Sequence, residues 1–218
     1  MRRYVDLHLR PSTPEQAQEM INVAQRLGYR QVASTKPPAG SNDRITAVTR
    51  VDIEARRGKE LLDGLKRNRR MFDLVAVRCF SKEVARQAAK DDRVDILLFP
   101  DDSAQRKQNW LDHHEAELIE GTGRAYEVNA SDLMATSATH LAKVITQVKR
   151  DLAVATRHDI PIVLSSGAMT PHAMREPKAL TALASLLDID EEYAMDMISI
   201  IPEAIVARNC AKLKKEGS

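Results

Sequence analysis

The stretch Asp6-Leu7-His8-Leu9-Arg10, close to the N-terminus, decides how the rest of the chain is read. Polar and apolar side chains alternate along it, which is the period of a strand with one face against a core. Val5, Leu7 and Leu9 share one face. An acid, an imidazole and a guanidinium share the other. An imidazole at position 10 would complete H-x-H on one strand face, a pairing suited to a metal, but the residue there is arginine.

Outward from this strand, β and α patterns alternate to the end of the chain. After the strand Tyr4–Leu9, Thr13-Pro14-Glu15-Gln16 has the form of a helix start, with a hydroxyl at the cap and proline at the first helical position. Ala17, Met20, Ile21, Ala24 and Leu27 form the apolar stripe of that helix, and Gly28 ends it. A short strand at Gln31–Ser34 runs into the loop "TKPPAGSND", and a third strand is expected at Thr49–Ala55. A basic helix at Gly58–Arg70 follows. Apolar strands at Leu74–Val77 and Val94–Phe99 flank a helix at Lys82–Lys90. The loop "PDDSAQRKQN" leads to a helix near Trp110–Ile119 and a sixth strand at Ala125–Asn129. A long helix at Ser137–His158 precedes a seventh strand at Pro161–Ser165. Asp196–Ile201 reads equally as an eighth strand or as helix. Repeated β and α units without hairpin signals imply a parallel sheet. About seven strands at this length favour a TIM-like (β/α) barrel with room for imperfect closure, and an open doubly-wound sheet is the alternative. The expectation is one barrel domain over residues 1–218, with 212–218 as a flexible basic tail.

Bulk properties narrow the function. The 33 basic residues are nearly balanced by 31 acidic ones, for a net charge of +2, so a nucleic-acid surface has to come from sorting charges onto one face. Aromatic residues are only 4%, which weighs against binding single strands mainly by base stacking. Cys79 and Cys210 are far apart, which fits a reducing cytosol and excludes a cysteine-based zinc site. No signal peptide or transmembrane run is read, so a cytoplasmic location without membrane contact is expected.

In parallel barrels the C-terminal strand ends form the active face. The candidates there are His8 and Arg10, Lys36, Asp52 and Glu54, Arg78, Asp101, Glu127 and Asn129, and Ser165 with Ser166. Three readings stand side by side. One is a self-compensating network of Arg10, Arg50 and Arg78 with Asp6, Asp52, Glu54 and Glu127. Another is an anion site built from Lys36, Arg78 and the Ser166-Gly167 turn, with a helix start at Thr170-Pro171. The third is a metal site of His8, Glu54 and Asp101. His113, His114, His140, His158 and His172 read as surface residues.

The segments "RYVDLHLR", "VDILLFP", "YEVN", "IPIVLSSGA" and "ISIIPEAIVARN", in this order from Tyr4 to Asn209, resemble the family of protein component 3 of archaeal ribonuclease P. That family's barrel is similar to the PHP metallophosphoesterases, which carry H-x-H on the first strand and Ser-Asp-Ala-His after a late one. Here the corresponding residues are His8-Leu9-Arg10 and Ser166-Gly167-Ala168-Met169, so ligands are missing at positions 10, 167 and 169. The resemblance therefore implies a non-catalytic subunit of the endonuclease that removes the 5′ leader from precursor tRNA. The RNA subunit would perform the chemistry with Mg2+, and this chain would hold no cofactor or metal. Implied partners are the ribonuclease P RNA, precursor tRNA through the holoenzyme, the ferredoxin-like protein component 2 and the other protein subunits. A stand-alone PHP-like metal-dependent phosphoesterase is the alternative. Candidate RNA contacts are Lys36, Arg44, Arg78, Arg106, Lys107, Arg124 and Arg175, with Arg67, Arg69 and Arg70 as further basic residues. The polar barrel site is expected to comprise His8, Arg10, Glu54, Asn129, Ser165 and Ser166.

Overall fold

A computed structural model describes residues 2–100 and 108–216, with side chains through residue 212. Among the described residues there are seven strands: Tyr4–Leu9 (β1), Tyr29–Ser34 (β2), Thr46–Ala55 (β3), Leu74–Cys79 (β4), Ile96–Leu98 (β5), Ala125–Asn129 (β6) and Ile162–Ser165 (β7). They follow one another in sheet order and are parallel, alternating with helices, and the fold is a TIM-like α/β barrel. The chain groups into two compact units. One holds Met1–Arg50, Asn129–Ser131 and Val163–Ser218, and the other holds Val51–Val128 and Asp132–Ile162.

In the first unit, helix Pro14–Arg26 (α1) begins where its cap residues place it. The Thr13 hydroxyl accepts from the Gln16 N–H at 3.2 Å. The Gln16 side chain reaches back one residue further than a reciprocal capping box requires, accepting from the Ser12 N–H at 2.7 Å. Ala17, Met20, Ile21 and Ala24 are buried, and Gly28 turns the chain with φ +96°. The loop between β2 and β3 contains no helix and is strapped onto α1. Gly40 N–H donates to Gln18 Oε1 at 3.0 Å, and the Asn42 side-chain amide donates to Asn22 and Gln25.

The β7–β1 seam is not a full ladder. Among the described residues it is held by one bridge, Leu9 to Ala168, with Arg10 N–H donating to Ala168 O at 2.8 Å. Asp196–Ile201 does not form an eighth strand. It spans the end of helix Glu191–Met197 and the start of helix Ile200–Glu216. The Val5 N–H, which an eighth strand would have paired, donates instead to Ile198 O at 2.8 Å. The helix Ile200–Glu216 also runs through the segment expected to be a flexible tail, as far as Glu216.

The second unit contains helices Gly58–Asn68 (α2), Lys82–Lys90 (α3), His113–Ile119 (α4) and Ala138–Arg157 (α5). Its core is aliphatic: Leu61, Leu65, Leu74, Val75, Val84, Ile96, Leu97, Val144, Val148 and Leu152 are buried. Gly64 allows α2 to approach β3, since a Cβ there would lie 3.0 Å from Ile53 Cγ2. Strand β3 starts three residues earlier than expected and changes phase. Val48 and Arg50 are buried in its first half, Ile53 and Ala55 in its second, and Glu54 is exposed. The expected common inward face of Arg50, Asp52 and Glu54 therefore does not form.

Candidate functional site

The polar end of β1 lies wholly within the first unit. Asp6 is fully buried, and its Oδ1 accepts from the N–H groups of His8 at 3.1 Å and Ser166 at 3.0 Å. Its Oδ2 has no hydrogen-bond partner among the described residues. Burial raises the Asp6 carboxyl above its ordinary range, outweighing the hydrogen bonds from Ser166 and His8 that favour the anion. His8 is 2% exposed, and its Nδ1 lies 2.9 Å from Asn129 Oδ1. Ser165 and Ser166 are buried at the end of β7, and Ser166 Oγ accepts from the Ala168 N–H at 3.2 Å.

Arg10 sets the chemistry of this cluster. Its Nε and Nη2 both donate to Gly167 O, at 2.7 and 2.5 Å. Gly167 has φ +61°, and a Cβ there would lie 3.0 Å from Arg10 Nη2 and 3.0 Å from Asn129 Cβ. A side chain at position 167 and the guanidinium at position 10 thus compete for one volume. A guanidinium is a permanent cation and never a ligand. Met169 is 58% exposed. These residues do not fit a divalent cation. Among the described residues no group of three or more His, Cys, Asp or Glu side chains is arranged to hold one. The expected anion site is weakened as well. The N–H groups of Ser166 and Ala168 are spent on Asp6 and Ser166 Oγ, and the segment after Thr170 is a three-residue 3-10 turn, Pro171–Ala173.

Of the six residues expected in the polar site, His8 with Asn129 and Arg10 with the Ser166-Gly167 turn are brought together, and Ser165 lies buried beside them in the chain. Glu54 is not among them. Its carboxylate is 60% exposed and accepts from Arg78 Nη1 at 3.2 Å. Arg50, fully buried, supports the cluster from below by donating to Leu7 O at 2.6 Å.

The basic candidates separate by burial. Lys36 and Arg44 are exposed. Arg78 is partly covered by its pair with Glu54 and lies 5.4 Å from the Phe80 ring centroid. Arg175 is half-buried and donates to the carbonyls of His172 and Met174. Arg124 is a correction. It is 3% exposed, its Nε donates to Asp91 O at 3.1 Å and its Nη2 to Asp92 Oδ1 at 2.5 Å, so it ties the turn before β6 to the turn between α3 and β5. Arg69 is likewise structural, bonding Asp95 at 2.6 Å. Arg106, Lys107 and Asp101 lie outside the described residues.

One cluster was not foreseen. Lys82 Nζ bonds Trp110 O at 2.7 Å, Asp112 Oδ2 at 2.7 Å and the buried Glu115 Oε2 at 2.9 Å. The signal was present as Asp112-x-x-Glu115, which forms a full capping box at the start of α4. His113 and His158, read as isolated surface residues, meet each other at 3.0 Å, and His158 also meets Glu120 at 2.9 Å.

The family model for RNase P subunit p30 matches residues 3–214. The chain belongs to this family. It is a protein subunit of ribonuclease P, the enzyme that processes tRNA 5′ ends. The subunit is 25% identical over 212 residues to ribonuclease P protein component 3 of Methanosarcina mazei, covering 93% of this chain and 87% of that one. Its fold matches a chain in the cryo-EM structure of archaeal ribonuclease P with mature tRNA, with a TM-score of 0.78 at 20% identity, over 93% of this chain and 90% of that one. A more distant fold likeness, with a TM-score of 0.52 at 11% identity, is to histidinol phosphate phosphatase of Lactococcus lactis solved with zinc, L-histidinol and phosphate; it covers 85% of the subunit and 93% of that chain. This second likeness is one of fold alone. No helix among the described residues is long and apolar enough to cross a membrane.

Proposed function

We propose that this subunit supports the catalytic RNA of ribonuclease P and takes no part in the bond-breaking step. The observation that carries this reading is the Arg10 guanidinium held on Gly167 O, which puts a fixed cation where a metal-dependent barrel needs a ligand. The subunit holds no cofactor or metal of its own, and the Mg2+ of the reaction belongs to the RNA. Its partners are the ribonuclease P RNA, precursor tRNA through the holoenzyme, the ferredoxin-like component 2 and other protein subunits, in the cytoplasm. Phosphate contacts fall to the exposed basic residues Lys36 and Arg44, joined by Arg106, Lys107 and the part-covered Arg78 and Arg175.

Reconstitution of precursor-tRNA cleavage tests the proposal. With the RNA and partner subunits present, omitting this chain should slow cleavage at moderate magnesium, and added magnesium should restore much of the rate. Removing one phosphate-binding cation, as in Lys36→Ala, should lower the salt slope of RNA binding by roughly 0.7 to 0.9. Arg10→Ala should leave the cleavage site unchanged. Stoichiometric bound metal with phosphoesterase activity in the isolated chain, or cleavage abolished at saturating protein and magnesium by a folded Lys36→Ala variant, would overturn the proposal.

A further inference from the structure

A cavity of about 380 Å³ opens in the second unit between the residues before α4 and one face of α5. Trp110, Leu111, His113, Gln147, Arg150 and Val154 line it. The size lies in the range of pockets that take a small ligand, and the walls are mostly apolar with a few placed polar groups. Trp110 is the only tryptophan in a chain poor in aromatics, and it is 41% exposed. Its position is set from behind: Lys82 holds its carbonyl and brings the ammonium 4.5 Å from the ring centroid. Lys82 is in turn fixed by Asp112 and Glu115. An aromatic plane held this firmly is a stacking platform.

The facing wall comes from α5. Lys143, Gln147, Arg150 and Val154 recur at four, three and four residues, so they share one side of the helix. Val154 adds an apolar contact, and Gln147 a carboxamide whose Oε1 has no hydrogen-bond partner among the described residues. Arg150 and Lys143 are exposed cations on the same stripe. A flat ring to stack on, a carboxamide and the Arg150 cation in the wall, with Lys143 one turn or more further along the same helix face, together form the complement of a nucleotide. The ring takes the base, the amide reads its polar edge and the cations meet its phosphate.

We infer that this cavity takes one unpaired, splayed-out RNA base of the ribonuclease P assembly, stacked on Trp110 and hydrogen-bonded by Gln147. The inference rests on the proposed role as an RNA-supporting subunit, and it adds a base contact to phosphate contacts that carry no sequence information.

The single tryptophan is also the probe. Titrating the full chain with AMP, CMP, GMP and UMP should quench its fluorescence saturably at millimolar concentration or below, whereas ribose 5-phosphate should leave it unchanged. Gln147→Leu, with unchanged circular dichroism, should weaken that binding by roughly tenfold. By calorimetry Trp110→Phe should keep the binding, and Trp110→Ala should weaken it by roughly tenfold or more, the scale of one stacking contact. In reconstituted cleavage, Trp110→Ala should raise the protein needed for half-maximal rate, and Trp110→Phe should restore it. Absence of quenching by all four nucleotides, while the wild-type chain still stimulates cleavage, overturns the base pocket and leaves the RNase P role intact. Quenching by a chain that never stimulates cleavage overturns that role, and the inference with it. Release of the ferredoxin-like subunit by Trp110→Ala, with no nucleotide effect, would instead make the cavity a protein-docking site and overturn the proposal.

Discussion

In the unit built around β1, the half-buried Arg10 and the fully buried Arg50 donate to backbone carbonyls, Gly167 O and Leu7 O. In the unit built around β4 and β5, buried or half-buried cations end on carboxylates. Arg69 bonds Asp95, Lys82 bonds Asp112 and Glu115, and Arg124 bonds Asp92. The carbonyl dipole satisfies the donor's geometry without cancelling its charge, and a full carboxylate does both. The first arrangement fixes a guanidinium to the turn that follows β7. The second turns charge into rigidity by tying helices and turns to one another.

Removing a cation from each unit tests this contrast, and the largest effect is expected in the first. Arg50→Ala should cost about 3–5 kcal/mol in urea unfolding, because it leaves a large cavity and an unsatisfied carbonyl at Leu7. A loss below about 1 kcal/mol would mean that the carbonyl contact is incidental.

Lys82→Met should cost roughly 2–3 kcal/mol, since the buried Glu115 carboxylate loses its ammonium and keeps only the half-exposed Arg86 at 3.3 Å. Burial already raises the Glu115 carboxyl above its ordinary range, ahead of an opposing contribution from Lys82. Glu115 therefore accepts a proton early on acidification, and the deficit of Lys82→Met should shrink as pH falls. For Asp112 burial is again the largest single influence and raises the carboxyl, but hydrogen bonds from Glu115 and Lys82 together hold it below its ordinary range. A deficit that grows at low pH would break the account.

Gly167→Ala is the next test and should cost about 1–3 kcal/mol, from the left-handed backbone and the crowding against Arg10 and Asn129. Pairing it with Arg10→Ala should recover part of the loss, because the two side chains compete for one volume. Strict additivity in the double mutant would show that they do not.

Asp6→Asn sharpens the comparison through pH. The Asp6 carboxyl is raised in the folded state, so the native protein binds more protons than the unfolded chain above pH 3.8, the ordinary value. Its contribution is present below that pH and is lost as pH rises toward the folded value. The stability of Asp6→Asn relative to wild type should therefore improve as pH increases from about 4. Parallel stability curves for the two proteins would refute the raised value.

The smallest effect concerns reactivity alone. Burial pushes the Cys79 thiol far above its ordinary value, and Cys210 is only half-buried. In the folded protein one thiol should react with a disulfide reagent, and the second only after unfolding. Rapid modification of both would mean that the core around β4 opens readily.

The sequence by itself determined the order of strands and helices, the parallel barrel and the polar edge of β1. Those are written in local periods of two and 3.6 residues, together with caps such as Thr13 and the turn at Gly28. It also marked positions 10, 167 and 169 as departures from a metal-binding pattern. Only the tertiary structure decided which polar residues meet. His8 and Asn129 are 121 residues apart, and Arg10 and Gly167 are 157 apart, so no local pattern pairs them. The phase change within β3 put Glu54 on the surface beside Arg78 and Arg50 in the interior. Packing at the turn before β6 buried Arg124, a residue whose composition alone suits RNA. The cavity beside Trp110 likewise exists because α5 lays Gln147 and Arg150 across the residues before α4. Local sequence sets which face of an element is apolar. The long-range pairing of those elements sets whether a charge on the other face is neutralised, buried or free to bind.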